Sequence, residues 1–123
     1  MGNKALGAVE GRFAELIWER EPISSPELVK LAESELGWKK STTYTVLKRL
    51  SERGLFRNDN GTVTSLVSRE DYRAERSESF VDSTFSGSLP AFLTAFAARR
   101  PLSPEEIDEL QSVIDRMRGE GGD

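Results

Sequence analysis

The 123-residue sequence contains no cysteine and no histidine. Without thiols there can be no disulfide, no Cys nucleophile and no thiolate-held zinc. Without imidazole there can be no Ser-His-Asp triad and no His-ligated metal. Long apolar runs are missing too, and none approaches the roughly 20 residues needed to span a bilayer. There is no Gly-rich phosphate loop and no positioned nucleophile. Carboxylates alone remain as catalytic candidates, so neither an enzyme nor a cofactor nor a metal site is expected. Met1-Gly2-Asn3-Lys4-Ala5-Leu6 does not read as a signal peptide, and Leu6 stands where a myristoylation signal needs Ser or Thr. A cytoplasmic location is the expectation.

What is present is charge, unevenly spread. The net charge is −4, yet Trp38 to Arg57 holds Lys39, Lys40, Lys48, Arg49, Arg53 and Arg57 against Glu52 alone. That segment carries +5 and the rest of the chain −9. A compact basic stretch in an acidic protein marks either a binding face for a polyanion or a merely solvated helix.

The pattern of apolar residues orders the elements. Val9, Phe13, Leu16 and Ile17 lie on one face of a helix over about 8–20. Glu21-Pro22 ends it, and Ile23 leaves room for a very short strand. Ser24-Ser25-Pro26-Glu27 is a capping box with Pro in the first turn, so a second helix opens there. Leu28, Leu31 and Ala32 face its inner side, and Gly37 closes it. A third helix covers about 41–53, with Thr43, Val46, Leu47 and Leu50 inward and Ser41, Thr45, Lys48 and Glu52 outward. Gly54 stops it. Two short strands then flank Asp59-Asn60-Gly61, a strong hairpin signal. Three helices followed by a hairpin is the element order of a winged helix, with the third helix as recognition helix and the hairpin as wing.

Beyond Ser68, three more helices are expected: one capped by Ser68-Arg69-Glu70-Asp71 and running to about 85, one over about 89–98, and one opened by the box Ser103-Pro104-Glu105-Glu106 and running to about 118. The expected organisation is a mainly α chain with a winged-helix DNA-binding domain at 1–67, a helical dimerisation region at 68–118 and a disordered tail at 119–123. The second region is apolar for its length. Phe80, Phe85, Leu89, Phe92, Leu93, Phe96, Leu110 and Ile114 suit a symmetric homodimer interface, the alternative being that they fold back on the winged domain of the same chain.

Four segments together resemble one family. They are Leu6-Gly7-x-x-Glu10 with Ile17-Trp18; Thr42-x-x-Thr45-x-Leu47-x-Arg49-Leu50 ending in Gly54-Leu55; Ser68-Arg69-Glu70-Asp71-Tyr72; and Leu102-Ser103-Pro104-Glu105-Glu106-Ile107-x-x-Leu110. In this order they resemble the penicillinase-repressor (BlaI/MecI/CopY-type) family of bacterial winged-helix transcriptional regulators. The resemblance implies a homodimer that binds palindromic operator DNA and represses transcription. The sequence departs from the family in three places. Ala95-Phe96 stands where antibiotic-responsive members have a cleavable Asn-Phe pair. The Cys-x-Cys pairs of copper-sensing members are missing. Thr62 follows Gly61 where the wing often carries Arg.

The expected DNA-binding residues are Lys39, Lys40, Ser41, Thr42, Tyr44, Thr45, Lys48, Arg49, Arg57, Asn60 and Thr62. Thr42 and Thr45 are poor helix formers on an outward face, so contact and not propensity explains them; with Tyr44 they are placed at base edges. Tyr44 has a second reading, lying flat on the surface. Lys39, Lys40, Ser41, Lys48, Arg49 and Arg57 are placed on the backbone phosphates, and Asn60 and Thr62 on phosphate or minor groove. Arg49 also has a second reading, an ion pair with an acid of the first helix. Trp18 and Trp38 are read as packing residues. Glu105, Glu106, Asp108 and Glu109 are read as acids favoured by a helix N-terminus rather than as metal ligands. Two other functions remain open, a protein–protein adaptor and a small-molecule-responsive regulator.

Overall fold

Local signals in the sequence set most element ends. In the computed structural model, which describes residues 5–121, six helices and three short strands follow one another. They are α1 (Ala8–Arg20), β1 (Ile23–Ser24), α2 (Ser25–Leu36), α3 (Lys40–Glu52), β2 (Phe56–Asp59), β3 (Thr62–Ser65), α4 (Arg69–Phe85), α5 (Leu89–Arg99) and α6 (Pro104–Gly121). Ser24 Oγ accepts the Glu27 N–H at 3.2 Å and opens α2, and Gly37, left-handed at φ 71°, closes it. Ser68 and Ser88 cap α4 and α5 in the same way, through the N–H groups of Asp71 and Ala91. At α6 the capping box is reciprocal: the Glu106 N–H reaches Ser103 Oγ at 3.1 Å, and Glu106 Oε1 accepts the Ser103 N–H at 3.0 Å.

The chain divides into two compact units, one running through Ser79 and the other beginning at Phe80. The first contains α1, α2 and α3 and a three-stranded antiparallel sheet of order β1-β3-β2. Asn58 pairs with Val63 and Asp59 with Thr62, so only Asn60 and Gly61 form the turn. Both have positive φ, 53° and 88°, the combination a two-residue type I′ turn demands. β1 adds to the outer side of β3 through Ile23↔Val63 and Ser24↔Thr62. This is a winged helix.

Its core is closed. Phe13, Ile17, Leu28, Leu50, Leu55, Phe56 and Val63 are wholly buried, each contributing about 1.5–3 kcal/mol by leaving water. Trp38 packs its ring on Phe13 at 5.0 Å between centroids. Trp18 lies against Phe56 at 5.4 Å and Tyr72 at 5.6 Å, and its indole N–H donates to the Val67 carbonyl at 2.9 Å. The start of α4 belongs to this unit. The Leu6 N–H donates to the Tyr72 hydroxyl at 2.8 Å, and Arg69 and Arg73 pair with Glu15 of α1 at 2.8 and 3.4 Å. This compact unit therefore includes the first turns of α4, up to Ser79.

The second unit holds the end of α4, α5 and α6. Its rings form a chain, Phe80–Phe85–Phe92–Phe96, with successive centroids 5.7–6.1 Å apart. No residue among those described in this unit is fully buried.

Three boundary details correct the sequence reading. Val9 is 47% exposed although it shares the face of Phe13 and Ile17, because the core begins a turn later along α1 with Phe13, Ala14 and Ile17. Lys40 is the first residue of α3 and Lys39 its N-cap, one residue earlier than expected. The last helix continues to Gly121, past the expected stop at Arg118. A helical glycine costs only about 1 kcal/mol, and Gly119 does not turn left-handed, so the segment 119–121 is helix and not tail. Gly122 and Asp123 lie outside the described residues.

Candidate nucleic-acid interface

α3 is amphipathic at a helical period. Thr43, Val46, Leu47 and Leu50 recur at i, i+3, i+4 and i+7 and are buried. Thr43 satisfies its hydroxyl by donating to the Lys39 carbonyl at 3.2 Å, which fixes the first turn. The opposite face consists of Ser41, Thr42, Thr45 and Lys48, all exposed. Lys39 and Lys40 stand exposed at the N-terminus, where free backbone N–H groups and the helix dipole favour an anion. Among the described residues Lys39, Lys40 and Lys48 form no ion pair, so their charge remains available to a polyanion.

The remaining candidates are more constrained. Arg49 pairs with Glu10 of α1 at 3.5 Å, its second reading from the sequence. Glu10 also accepts the Gly7 N–H at 3.2 Å, so one carboxylate caps α1 and holds α3. Arg57 is exposed on β2 and pairs with Asp59 at 3.4 Å across two residues of the same strand. Asn60 and Thr62 are exposed at the wing turn. Tyr44 is half-buried, and its hydroxyl donates to Ser25 Oγ at 3.2 Å. α3 and β2 border a groove of about 340 Å³ lined by Tyr44, Leu47, Lys48, Ser51 and Asn58. The face thus brings Ser41, Thr42, Thr45 and Lys48 together on one helix, with the wing carrying Asn60 in its turn and Thr62 at the start of β3.

Three structural residues of this region escaped the sequence reading. Asn58 Oδ1 accepts the Gly61 N–H at 3.0 Å and shapes the wing turn. Glu21, at the end of α1, accepts from the Ser65 N–H at 2.7 Å and from the Ser65 hydroxyl at 2.8 Å, pinning β3. Ser25 receives Tyr44. An Asn three residues before a Gly is a detectable turn signal. The other two depend on partners 44 and 19 residues away, which no local pattern reveals.

In the second unit the expected dimerisation residues split by exposure. Phe80, Leu89, Phe96 and Ile114 are exposed, and Phe85, Phe92, Leu93 and Leu110 are half-buried. α5, α6 and Leu102 between them border an open apolar hollow of about 420 Å³ lined by Phe92, Leu93, Phe96, Leu102, Leu110 and Val113 together with Glu106 and Glu109. No helix among the described residues is long and apolar enough to cross a membrane.

Comparison with known proteins agrees with this geometry. The methicillin resistance regulatory protein MecI of Staphylococcus aureus (strain N315) is 24% identical over 122 residues, spanning 94% of this chain and 99% of that protein. The penicillinase repressor of Bacillus licheniformis is 30% identical over 117 residues, spanning 92% and 91%. Residues 6–116 match the profile of the penicillinase repressor family, and with the winged helix in place the chain belongs to that family.

Proposed function

We propose that this protein is a cytoplasmic transcriptional repressor that binds a palindromic DNA operator as a homodimer, with α3 in the major groove and the β2–β3 hairpin on the flanking backbone. The observation that carries the reading is the outward face of α3. Small hydroxylated side chains and unpaired lysines occupy every exposed position from Lys39 to Thr45, and Tyr44 among them is half-buried. Helix propensity does not favour Thr at such positions, while contact with bases and phosphates does. Both curated relatives are named as a repressor or a resistance regulator, which supports the same activity here.

In this reading Thr42 and Thr45 meet base edges, and Tyr44 offers the edge of its ring. Lys39, Lys40, Ser41 and Lys48 hold phosphates. Asn60 and Thr62 touch the backbone or minor groove from the wing, and Arg57 reaches phosphate after giving up Asp59. Arg49 contributes through its hold on Glu10, which sets the angle of α3. Phe80, Phe85, Leu89, Phe92, Leu93, Phe96, Leu110 and Ile114 join two copies, giving dyad-related heads whose half-sites are spaced by about one helical turn or a multiple of it.

Selection of bound genomic fragments followed by footprinting tests the proposal. The expected product is a palindromic duplex protected on one face, bound by a species that sediments as a dimer at micromolar concentration. An asymmetric single site, or a monomer on DNA, would contradict it. A chain that binds no DNA but captures a protein would make it an adaptor instead.

A further inference from the structure

We infer that Ser25 is a positioning residue that ties the recognition helix to the wing, with the Tyr44 hydroxyl as its partner; the inference rests on the DNA-binding reading above. Ser25 is the first residue of α2 and is 7% exposed. Its hydroxyl is not needed to open that helix, because the neighbouring Ser24 side chain already accepts the Glu27 N–H. Instead Ser25 Oγ accepts from the Tyr44 hydroxyl of α3 at 3.2 Å. On the other side, the Ser25 N–H donates to the carbonyl of Gly61 in the wing turn at 2.8 Å. Gly61 is itself held from below, its N–H donating to Asn58 Oδ1 at 3.0 Å. The turn also lies close to the Ser25 hydroxyl: a methyl group at Gly61 would stand 3.7 Å from Ser25 Oγ.

One residue therefore links three elements, α3 through its side chain, the wing through its backbone and α2 through its place in the chain. Two consequences follow. The Tyr44 phenol is committed to the protein, so it meets DNA by its ring and not by its hydroxyl. And α3 and the wing are presented to the duplex as one body, so that docking the helix also sets the wing on the flanking backbone.

The test uses the full-length chain and the palindromic duplex recovered by fragment selection. Tyr44→Phe keeps the half-buried ring and removes only the hydroxyl, while Ser25→Ala removes the other end of the bond. Each should weaken binding about fivefold, the worth of one net hydrogen bond of about 1 kcal/mol. The double variant should be no weaker than either single. Hydroxyl-radical protection should fade at the flanks facing the wing, with the preferred bases at the centre of each half-site unchanged. A tyrosine hydroxyl that reads DNA directly would behave differently, changing the central base preference in Tyr44→Phe while leaving Ser25→Ala neutral. That result, or two neutral single variants, overturns the inference. Should Ser25→Ala lower the thermal midpoint, Tyr44→Phe alone still decides between flank loss and altered base preference. A wild-type chain that leaves no footprint defeats the DNA-binding reading itself, and the inference with it.

Discussion

In the first unit Phe13, Ile17, Leu28, Leu50 and Phe56 are completely covered, whereas in the second Phe80, Leu89, Phe96 and Ile114 stand 50%, 62%, 39% and 46% exposed. The two units do not differ in kind of side chain. They differ in whether the elements present can enclose what they carry. Three helices and a sheet close around one core in the first. In the second, the end of α4 and α5 carry a chain of phenyl rings, α6 packs beside them, and no described residue is fully buried; contiguous exposed apolar surface is what protein–protein contacts use. A region of about 40 residues rarely makes a self-sufficient core. On the proposed dimer, stability and assembly reside in different parts of this chain and should respond to different substitutions.

The largest expected effect separates them directly. Phe13→Ala leaves a cavity in the closed core and should lower the stability of the winged unit by about 3–5 kcal/mol, measured by denaturant unfolding. Phe92→Ser, at the centre of the second unit's ring chain, should leave the winged unit's unfolding nearly unchanged. It should instead weaken self-association by about 2–4 kcal/mol, read by sedimentation. If both substitutions unfold the whole chain together, the two units are not energetically distinct.

Truncation sharpens the boundary. A chain ending at Ser79 keeps Tyr72 against Trp18, its hydroxyl on the Leu6 N–H, and Arg69 and Arg73 on Glu15. A chain ending at Val67 loses all of these. Both should be monomers, the shorter one less stable by about 1–3 kcal/mol. Equal melting curves would return the boundary to Ser68. The smallest effect belongs to the ion pairs alone: Arg69→Ala should cost under about 1 kcal/mol, and the difference should shrink at about 1 M salt, since both Arg69 and Glu15 are partly exposed.

The elements set by local chemistry were legible in the sequence, and those set by distant partners were not. Asn60-Gly61 announced the turn because few residues tolerate left-handed backbone at two successive positions. Ser24, Ser68 and Ser103 announced helix starts because a hydroxyl can satisfy an orphan N–H three residues on. The α3 stripe followed from its period. By contrast, β1 is two residues long, and its pairing with β3 is visible only once the hairpin exists. The ties from Glu21 to Ser65, Arg69 to Glu15 and Tyr44 to Ser25 join residues that are remote in the chain. Val9 shows the converse limit: a helical period marks a face without saying how far along the helix the core reaches.

Whether the outward face of α3 reads DNA is decided by salt-dependent binding. Operator and random-duplex affinities of the wild-type chain, Lys40→Ala and Thr45→Ala would be measured across a range of salt. Lys40→Ala should weaken both duplexes alike and make the slope of log affinity against log salt shallower by about 0.9, the loss of one phosphate contact. Thr45→Ala should cost on the order of 1 kcal/mol on the operator alone and leave the slope unchanged. If both variants bind the operator as the wild-type chain does, at every salt concentration, α3 is not the reading head.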